Sequence, residues 1–109
     1  NVTSLCLYTP FNECWGQFDA VNVTNHLKNI DKTRLYDHAS GWQDKYAGDL
    51  CSKHIYFRKV KMKNDSKRVL ALTEFGGYSY PVDGHVFSSK KFGYKIFNDK
   101  DKLQKRYAS

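Results

Sequence analysis

The chain has 109 residues, of which 40% are hydrophobic and 16% aromatic, and its formal net charge is +7. This apolar content excludes a disordered polypeptide and fits a single small unit over residues 1–109. No stretch approaches the roughly 18 apolar residues of a membrane helix, so we expect no membrane partner. Three cysteines, an odd number without paired spacing, argue against a disulfide framework and favour a reducing compartment, which we interpret as the cytoplasm.

The hydrophobic pattern predicts a β-α-β unit in the first third of the chain. Short apolar runs at Leu5–Thr9 and Arg34–Asp37 are typical of buried parallel strands. Between them the pattern predicts a helix over Ala20–Ile30, which Asp19 can cap. Three residues at helical spacing are expected to pack on the sheet: Val23, Leu27 and Ile30.

The later part of the chain has less regular periodicity. Residues His38–Ser52 show no helical pattern and are expected to form a long functional loop or a short irregular connection. The remaining predicted elements are strands at Lys53–Lys59 and Val69–Thr73, a loop at Tyr78–Val86, a helix from Ser88 or Ser89 through Phe97, and a further helical stretch at Asp101–Tyr107.

Two glutamates, Glu13 and Glu74, each end an apolar, strand-like run. A carboxylate in such a place costs desolvation energy, so a chain that places two there is expected to hold both at one polar site. Either glutamate alone is better explained as an ordinary residue at the rim of a sheet. The pair favours carbohydrate chemistry, because the Asn12 amide can bind a sugar hydroxyl and Gly76-Gly77 let the backbone turn sharply beside a ligand.

Hydrolysis of a glycosidic bond with retention needs such a pair of carboxyl groups, roughly 5 to 5.5 Å apart. One protonates the leaving oxygen while the other attacks the anomeric carbon. Repulsion between neighbouring like charges allows one carboxyl to stay protonated while the other is ionised. The sequence therefore predicts that Glu13 and Glu74 form a catalytic pair.

Four segments resemble, in the right order, the catalytic domains of glycoside hydrolase family 2. The similarity covers nearly the whole chain, and its most specific part is the Asn12-Glu13 pair. The segments are Thr9–Asp19, similar to the acid/base segment; Thr33–Trp42, similar to the next strand; His54–Tyr56, similar to the one after; and Leu72–Gly77, similar to the nucleophile strand.

The resemblance implies roles for individual residues. Glu13 would be the general acid/base, Glu74 the nucleophile and Asn12 a ligand for the hydroxyl next to the reacting carbon. Cys14 departs from the family, which usually has a small glycine there, and this puts the local turn in question. The other expected substrate-binding residues are Trp15, His38, Trp42, His54 and Tyr56, while Trp15 is equally consistent with a structural role. No cofactor and no metal site are expected.

The resemblance also implies an α/β fold, a partial (β/α)8 barrel with about its fourth to seventh strands and flanking helices. A complete barrel needs about 250 residues, so the remainder of the barrel is expected outside this chain. We therefore expect the isolated fragment to be inactive. Exposed sheet edges would also lead it to self-associate.

The positive charge raises a rival hypothesis, a basic and aromatic-rich module that binds carbohydrate or nucleic acid without catalysis. Basic residues gather in Lys53–Lys63 and Lys90–Arg106, where Asp99 and Asp101 interrupt the second group. Basic charge alone gives only nonspecific affinity, and no RNA- or DNA-binding motif is present. We therefore favour a carbohydrate substrate and expect no nucleic-acid partner.

Overall fold

The computed structural model describes residues 2–63 and 67–109. Within these ranges the elements are β1 (Leu7–Tyr8), a 3-10 helix (Cys14–Gly16), α1 (Ala20–Ile30), β2 (Leu35–Tyr36), β3 (Leu50–Tyr56), β4 (Val69–Gly76), β5 (Tyr78–Ser79), β6 (Lys95–Ile96) and α2 (Lys100–Tyr107). In this part of the chain no helix has the length and apolar character needed to cross a membrane.

The strands pair two by two, β1 with β2, β3 with β4 and β5 with β6, in three separate sheets. All three pairs are parallel. The predicted partial (β/α)8 barrel is therefore wrong, because barrel strands need a hydrogen-bonded neighbour on both sides in one continuous sheet. Among the described residues, β1 and β2 are the only paired strands that a crossover helix joins. β4 and β5 are separated by a single residue, Gly77.

The chain folds into two compact units. The first unit contains Asn1–His54 and Met62–Glu74, and the second contains Ile55–Lys61 and Phe75–Ser109. The divisions fall within strands β3 and β4, so each of these strands contributes residues to both units.

In the first unit, α1 has the predicted bounds, Ala20–Ile30. The expected apolar face is only partly correct, because Ala20 and Thr24 are its buried residues while Ile30 is 70% exposed. The helix is fixed to β2 by Tyr36, whose hydroxyl lies 3.0 Å from the carbonyl oxygens of both Leu27 and Asp31. A polar anchor at the end of the helix thus replaces part of the apolar contact that the periodicity predicted.

The segment between β2 and β3 is irregular as far as Asp49, whereas the predicted loop extended to Ser52, and Leu50–Ser52 belong to β3. An arginine holds this loop. The Arg68 guanidinium donates to both carboxylate oxygens of Asp44, at 2.6 and 2.9 Å, and to the Leu50 carbonyl at 3.3 Å. These hydrogen bonds lower the pKa of the Asp44 carboxyl to about 2. Lys28 of α1 forms an ion pair with Asp49 in the same loop. Because hydrogen bonds and an ion pair hold this loop at several residues, it can keep its side chains in fixed positions.

The bounds of the two longer strands differ from the prediction. β3 covers Leu50–Tyr56 rather than Lys53–Lys59, and it ends where Phe57 takes a φ of 46°, outside the extended region. β4 continues through Gly76, so Glu74 lies inside this strand rather than at its end.

In the second unit, the predicted helix from Ser88 or Ser89 through Phe97 is wrong, because Lys95–Ile96 pairs as β6 with β5. Gly77 makes this pairing possible: its φ is 65°, and a Cβ there would lie 2.5 Å from the Tyr94 ring. The predicted helical stretch at Asp101–Tyr107 is confirmed as α2, which begins at Lys100. Asp99 caps it by accepting a 2.9 Å hydrogen bond from the Lys102 N–H.

Candidate active site

Glu13 and Glu74 are the only glutamates of the chain, and both carboxylates lie beside the imidazole ring of His54. Glu13 Oε2 is 3.4 Å from Nδ1, and Glu74 Oε1 is 3.6 Å from Nε2. The His54 side chain is 0% exposed, whereas the Glu13 and Glu74 side chains are 29% and 44% exposed. Two solvent-accessible carboxylates thus flank one buried imidazole, all within the first unit.

The backbone brings these three residues together from separate segments. His54 lies on β3 and Glu74 on its neighbour β4. Glu13 follows a parallel bridge between Phe11 and Ala39, which extends the β1–β2 pairing towards the site. Gly41 allows the close approach, because its φ is 139° and a Cβ there would lie 3.0 Å from Glu13 Cβ.

A chain of hydrogen bonds runs from His54 to a backbone carbonyl. Thr73 Oγ1 lies 3.4 Å from the Lys53 carbonyl oxygen, and Ser40 Oγ lies 2.9 Å from Thr73 Oγ1. Ser40 Oγ is also 2.7 Å from His54 Nε2. A carbonyl oxygen can only accept, so Thr73 donates to Lys53 and Ser40 donates to Thr73.

The direction of this chain also gives the hydrogen-bond role of His54 Nε2. Because the single hydroxyl proton of Ser40 is donated to Thr73, Ser40 Oγ accepts from His54 Nε2. The other ring nitrogen, Nδ1, faces Glu13.

A second polar network supports the loop that carries Ser40. The Ser52 hydroxyl lies 3.1 Å from Asp37 Oδ1 and 3.0 Å from the Ala39 carbonyl oxygen. Asp37 is fully buried, and this burial raises the pKa of its carboxyl. The buried Ser52 hydroxyl thus holds the backbone at Ala39, the residue before Ser40.

Of three further predicted residues, Trp42 contacts the ring between the carboxylates, and Asn12 and Trp15 lie close to Glu13 in the sequence. Trp42 packs edge-on against the His54 ring, with centroids 6.0 Å apart, and remains 48% exposed. Trp15, two positions after Glu13, is 92% exposed, which excludes a core position for it. Asn12 is exposed and directly precedes Glu13. Two aromatic rings and an amide are therefore open to solvent in the first unit.

His38 and Tyr56 each have a contact with a residue outside this group. His38 is 1% exposed, and its Nε2 accepts a 3.1 Å hydrogen bond from the Lys45 N–H. Tyr56 belongs to the second unit, where its ring stacks on Tyr94 at a centroid distance of 4.5 Å. Substrate contacts of these two side chains remain predictions, and the observed role of His38 is to hold the loop.

Sequence reasoning missed Ser40 and Thr73, which connect His54 to the backbone. Thr73 immediately precedes Glu74, and Ser40 lies in the segment Thr33–Trp42, which resembles the barrel strand after the acid/base segment. Their positions in these segments were the only sequence signal of a role at the site, because one serine and one threonine do not form a recognisable motif.

Within residues 2–63 and 67–109, no group of three or more His, Cys, Asp or Glu side chains is arranged to hold a metal ion. No protein-family model matches the chain, and a search of curated proteins finds no significant match.

Proposed function

We propose that this chain carries the catalytic carboxylate pair of a retaining glycoside hydrolase, with Glu74 as nucleophile and Glu13 as general acid/base. The observation that carries the proposal is the approach of both accessible carboxylates to one buried imidazole. The assignment of roles rests on the resemblance of Asn12-Glu13 and Leu72–Gly77 to the corresponding segments of glycoside hydrolase family 2.

The His54 ring lies between the two proposed catalytic groups. Its Nε2 is 3.6 Å from Glu74 Oε1, the oxygen of the proposed nucleophile. Its Nδ1 is 3.4 Å from Glu13 Oε2, the oxygen of the proposed general acid/base. The two carboxyl groups thus face different nitrogens of one ring.

In the first step, an ionised oxygen of Glu74 attacks the anomeric carbon and forms an ester bond to the sugar. The bond from that carbon to the leaving oxygen breaks, and Glu13 gives its proton to that oxygen. The leaving group departs as an alcohol. Glu13 is then a carboxylate, and Glu74 is a neutral ester.

In the second step, a water molecule takes the place of the leaving group. Glu13 removes a proton from this water, and the water oxygen attacks the anomeric carbon. The ester bond breaks, Glu74 becomes a carboxylate again, and Glu13 regains its proton. The sum of the two steps is the hydrolysis of one glycosidic bond with retained configuration.

The proposed substrate is a β-linked glycoside. Trp15 and Trp42 offer exposed aromatic faces or edges against which a sugar ring can pack, and the Asn12 amide can bind a hydroxyl. We place the activity in the cytoplasm, because an odd number of cysteines suits a reducing compartment.

The proposal is tested by replacing the two glutamates one at a time. The substitutions are made in the natural polypeptide that contains these residues. Glu74→Gln should reduce turnover of every glycoside at least roughly a thousandfold, because the nucleophile is lost. Glu13→Gln should spare aryl glycosides with good leaving groups, which need no protonation in the first step. Steady-state kinetics on activated and unactivated substrates measures both effects, and proton NMR of the first-formed sugar anomer reports retention.

Asp83→Asn is the matched control, because it removes one carboxylate from an exposed position in the second unit and should leave turnover unchanged. Equal loss on activated and unactivated substrates in Glu13→Gln would remove Glu13 from the acid role. Wild-type turnover in Glu74→Gln, or saccharide binding without turnover in the wild-type protein, would refute the proposed function.

A further inference from the structure

The excess of positive over negative charge lies entirely in the second unit. In the first unit eight lysines and arginines are balanced by eight aspartates and glutamates. In the second unit ten lysines and arginines meet only three aspartates, which accounts for the whole net charge of +7. A charge imbalance of this kind attracts anionic ligands to the unit that bears it.

Part of this charge surrounds a cleft of about 230 Å³ within the second unit. Four cationic side chains line the cleft and no acidic side chain does: Arg58, Lys59, Lys61 and Arg106. Arg58, Lys59 and Lys61 are exposed, and none of them forms an ion pair within the described part of the chain. Their charge is therefore available to a ligand.

Arg106 gives the cleft a fixed donor. Its Nε donates to the Tyr78 hydroxyl at 3.1 Å, and one terminal nitrogen donates to the Phe57 carbonyl at 2.6 Å. A guanidinium has five N–H donors in a rigid plane, so further donors remain for a ligand. Tyr107 and Phe75 add aromatic walls, with ring centroids 6.3 Å apart.

We propose that this basic cleft binds one sulfate or carboxylate group of an acidic polysaccharide. Binding sites for whole small ligands measure roughly 300 to 1,000 Å³, so the cleft suits one charged group or sugar ring rather than a longer stretch. The guanidinium of Arg106 and the ammonium groups of Lys59 and Lys61 would bind the oxygens of that group by charge-assisted hydrogen bonds.

The excess charge outside the cleft favours a polymer over a single small anion. Six more lysines lie in the same unit, on α2 and in the segment before it: Lys90, Lys91, Lys95, Lys100, Lys102 and Lys105. Such a distribution attracts a ligand with repeated charges. We choose a polysaccharide over a nucleic acid because the proposed catalytic site acts on a glycoside, and to that extent the inference rests on the proposed function.

The test measures binding of three probes to the protein by isothermal titration calorimetry at low and physiological salt. The probes are a heparin-derived sulfated hexasaccharide, neutral cellohexaose and a single-stranded deoxyoligonucleotide of similar charge. The sulfated hexasaccharide should bind at least roughly tenfold more tightly than either of the others and should weaken as salt is added.

The double variant Lys59→Gln/Lys61→Gln should weaken binding of the sulfated probe roughly tenfold, because two charge-assisted contacts are lost. The matched control, Lys32→Gln/Lys45→Gln, removes the same charge from exposed positions of the first unit and should change affinity less than about twofold. Equal weakening in both double variants would overturn the site, because binding would then follow net charge alone. Tighter binding of the oligonucleotide would overturn the choice of a polysaccharide.

The same titration with Glu74→Gln separates the two proposals. This variant should bind the sulfated probe with wild-type affinity, because Glu74 belongs to the first unit and the cleft to the second. If Glu74→Gln keeps its turnover while Lys59→Gln/Lys61→Gln loses binding, the catalytic proposal fails and the cleft stands. If the cleft variant binds normally while Glu74→Gln is inactive, the cleft fails and the catalytic proposal stands.

Discussion

Cys14, the residue after the proposed acid Glu13, has a φ of 53°, in the left-handed region. For a residue with a Cβ this conformation costs roughly 1 to 2 kcal/mol, whereas glycine adopts it readily. The resemblance put the turn at this position in question, and the structure shows that the chain makes the turn with a strained cysteine. Strain next to a proposed catalytic group is consistent with a site whose geometry the surrounding structure maintains.

We predict that Cys14→Gly raises the free energy of unfolding by about 1 kcal/mol, because it removes the Cβ from a left-handed position. Urea denaturation followed by tryptophan fluorescence measures the change. Cys14→Ala is the control: it removes the thiol but keeps the Cβ, so it should bring no gain. A gain of the same size in Cys14→Ala would show that the thiol, not the backbone, causes the strain.

At the scale of elements, the loop between β2 and β3 depends on the ion pair of Arg68 and Asp44. The side chains are only 10% and 16% exposed, so solvent screens the pair weakly. The pKa of Asp44 falls from its usual 3.8 to about 2 in the folded protein. A lowered carboxyl pKa stabilises the fold above pH 4, and this stabilisation is lost as the pH falls from about 4 towards 2.

We predict that Asp44→Asn lowers the free energy of unfolding by about 2 kcal/mol at pH 7 and much less at pH 2. Urea denaturation at pH 7, 5, 3 and 2 measures the difference from the wild type. Asp83→Asn, at an exposed position, should match the wild type throughout. A constant difference between Asp44→Asn and the wild type at all four pH values would contradict the linkage.

Asp37 changes the stability of the fold with pH in the direction opposite to Asp44. Burial raises the pKa of its carboxyl, so ionisation of Asp37 costs stability as the pH rises above the value at which the unfolded chain ionises. The acid limb of the wild-type stability curve should therefore be shallower than Asp44 alone would make it.

The elements that were predicted correctly are those determined by local sequence. α1 has its predicted bounds, because eleven consecutive residues carry the helical signal. β5 and β6 were missed, because they pair across the loop between them and local patterns do not specify that pairing. The barrel was wrong for the same reason: which strands become neighbours depends on distant partners that local patterns do not specify.

The candidate site was likewise predicted only in part. The positions of Glu13 and Glu74 at the ends of apolar runs were visible in the sequence and suggested one shared site. The connection from His54 through Ser40 and Thr73 was not, since it depends on the pairing of β3 with β4 and on the path of the loop before Gly41.

At the scale of the whole molecule, β3 and β4 each contribute residues to both compact units. Unfolding of either unit would break strands that continue into the other. We therefore predict one cooperative transition in urea. Tryptophan fluorescence follows the first unit, because both tryptophans of the chain, Trp15 and Trp42, belong to it.

Hydrogen exchange measured by mass spectrometry on peptides from residues 75–97 follows the second unit. The fluorescence and exchange midpoints should coincide. A second unit that loses protection at a clearly lower urea concentration would show that the strands do not couple the two units.

The position of His54 between two carboxylates also has a consequence for the charge of the site during the proposed reaction. Before the first proposed step, a protonated Glu13 and an ionised Glu74 would carry one negative charge in total. In the covalent intermediate the ester at Glu74 is neutral and Glu13 is ionised, so the total for the two groups is the same. The charge only moves from one side of the His54 ring to the other. The buried surroundings of the ring would thus face the same net charge throughout the cycle, and little of the protein would have to reorganise between the two steps.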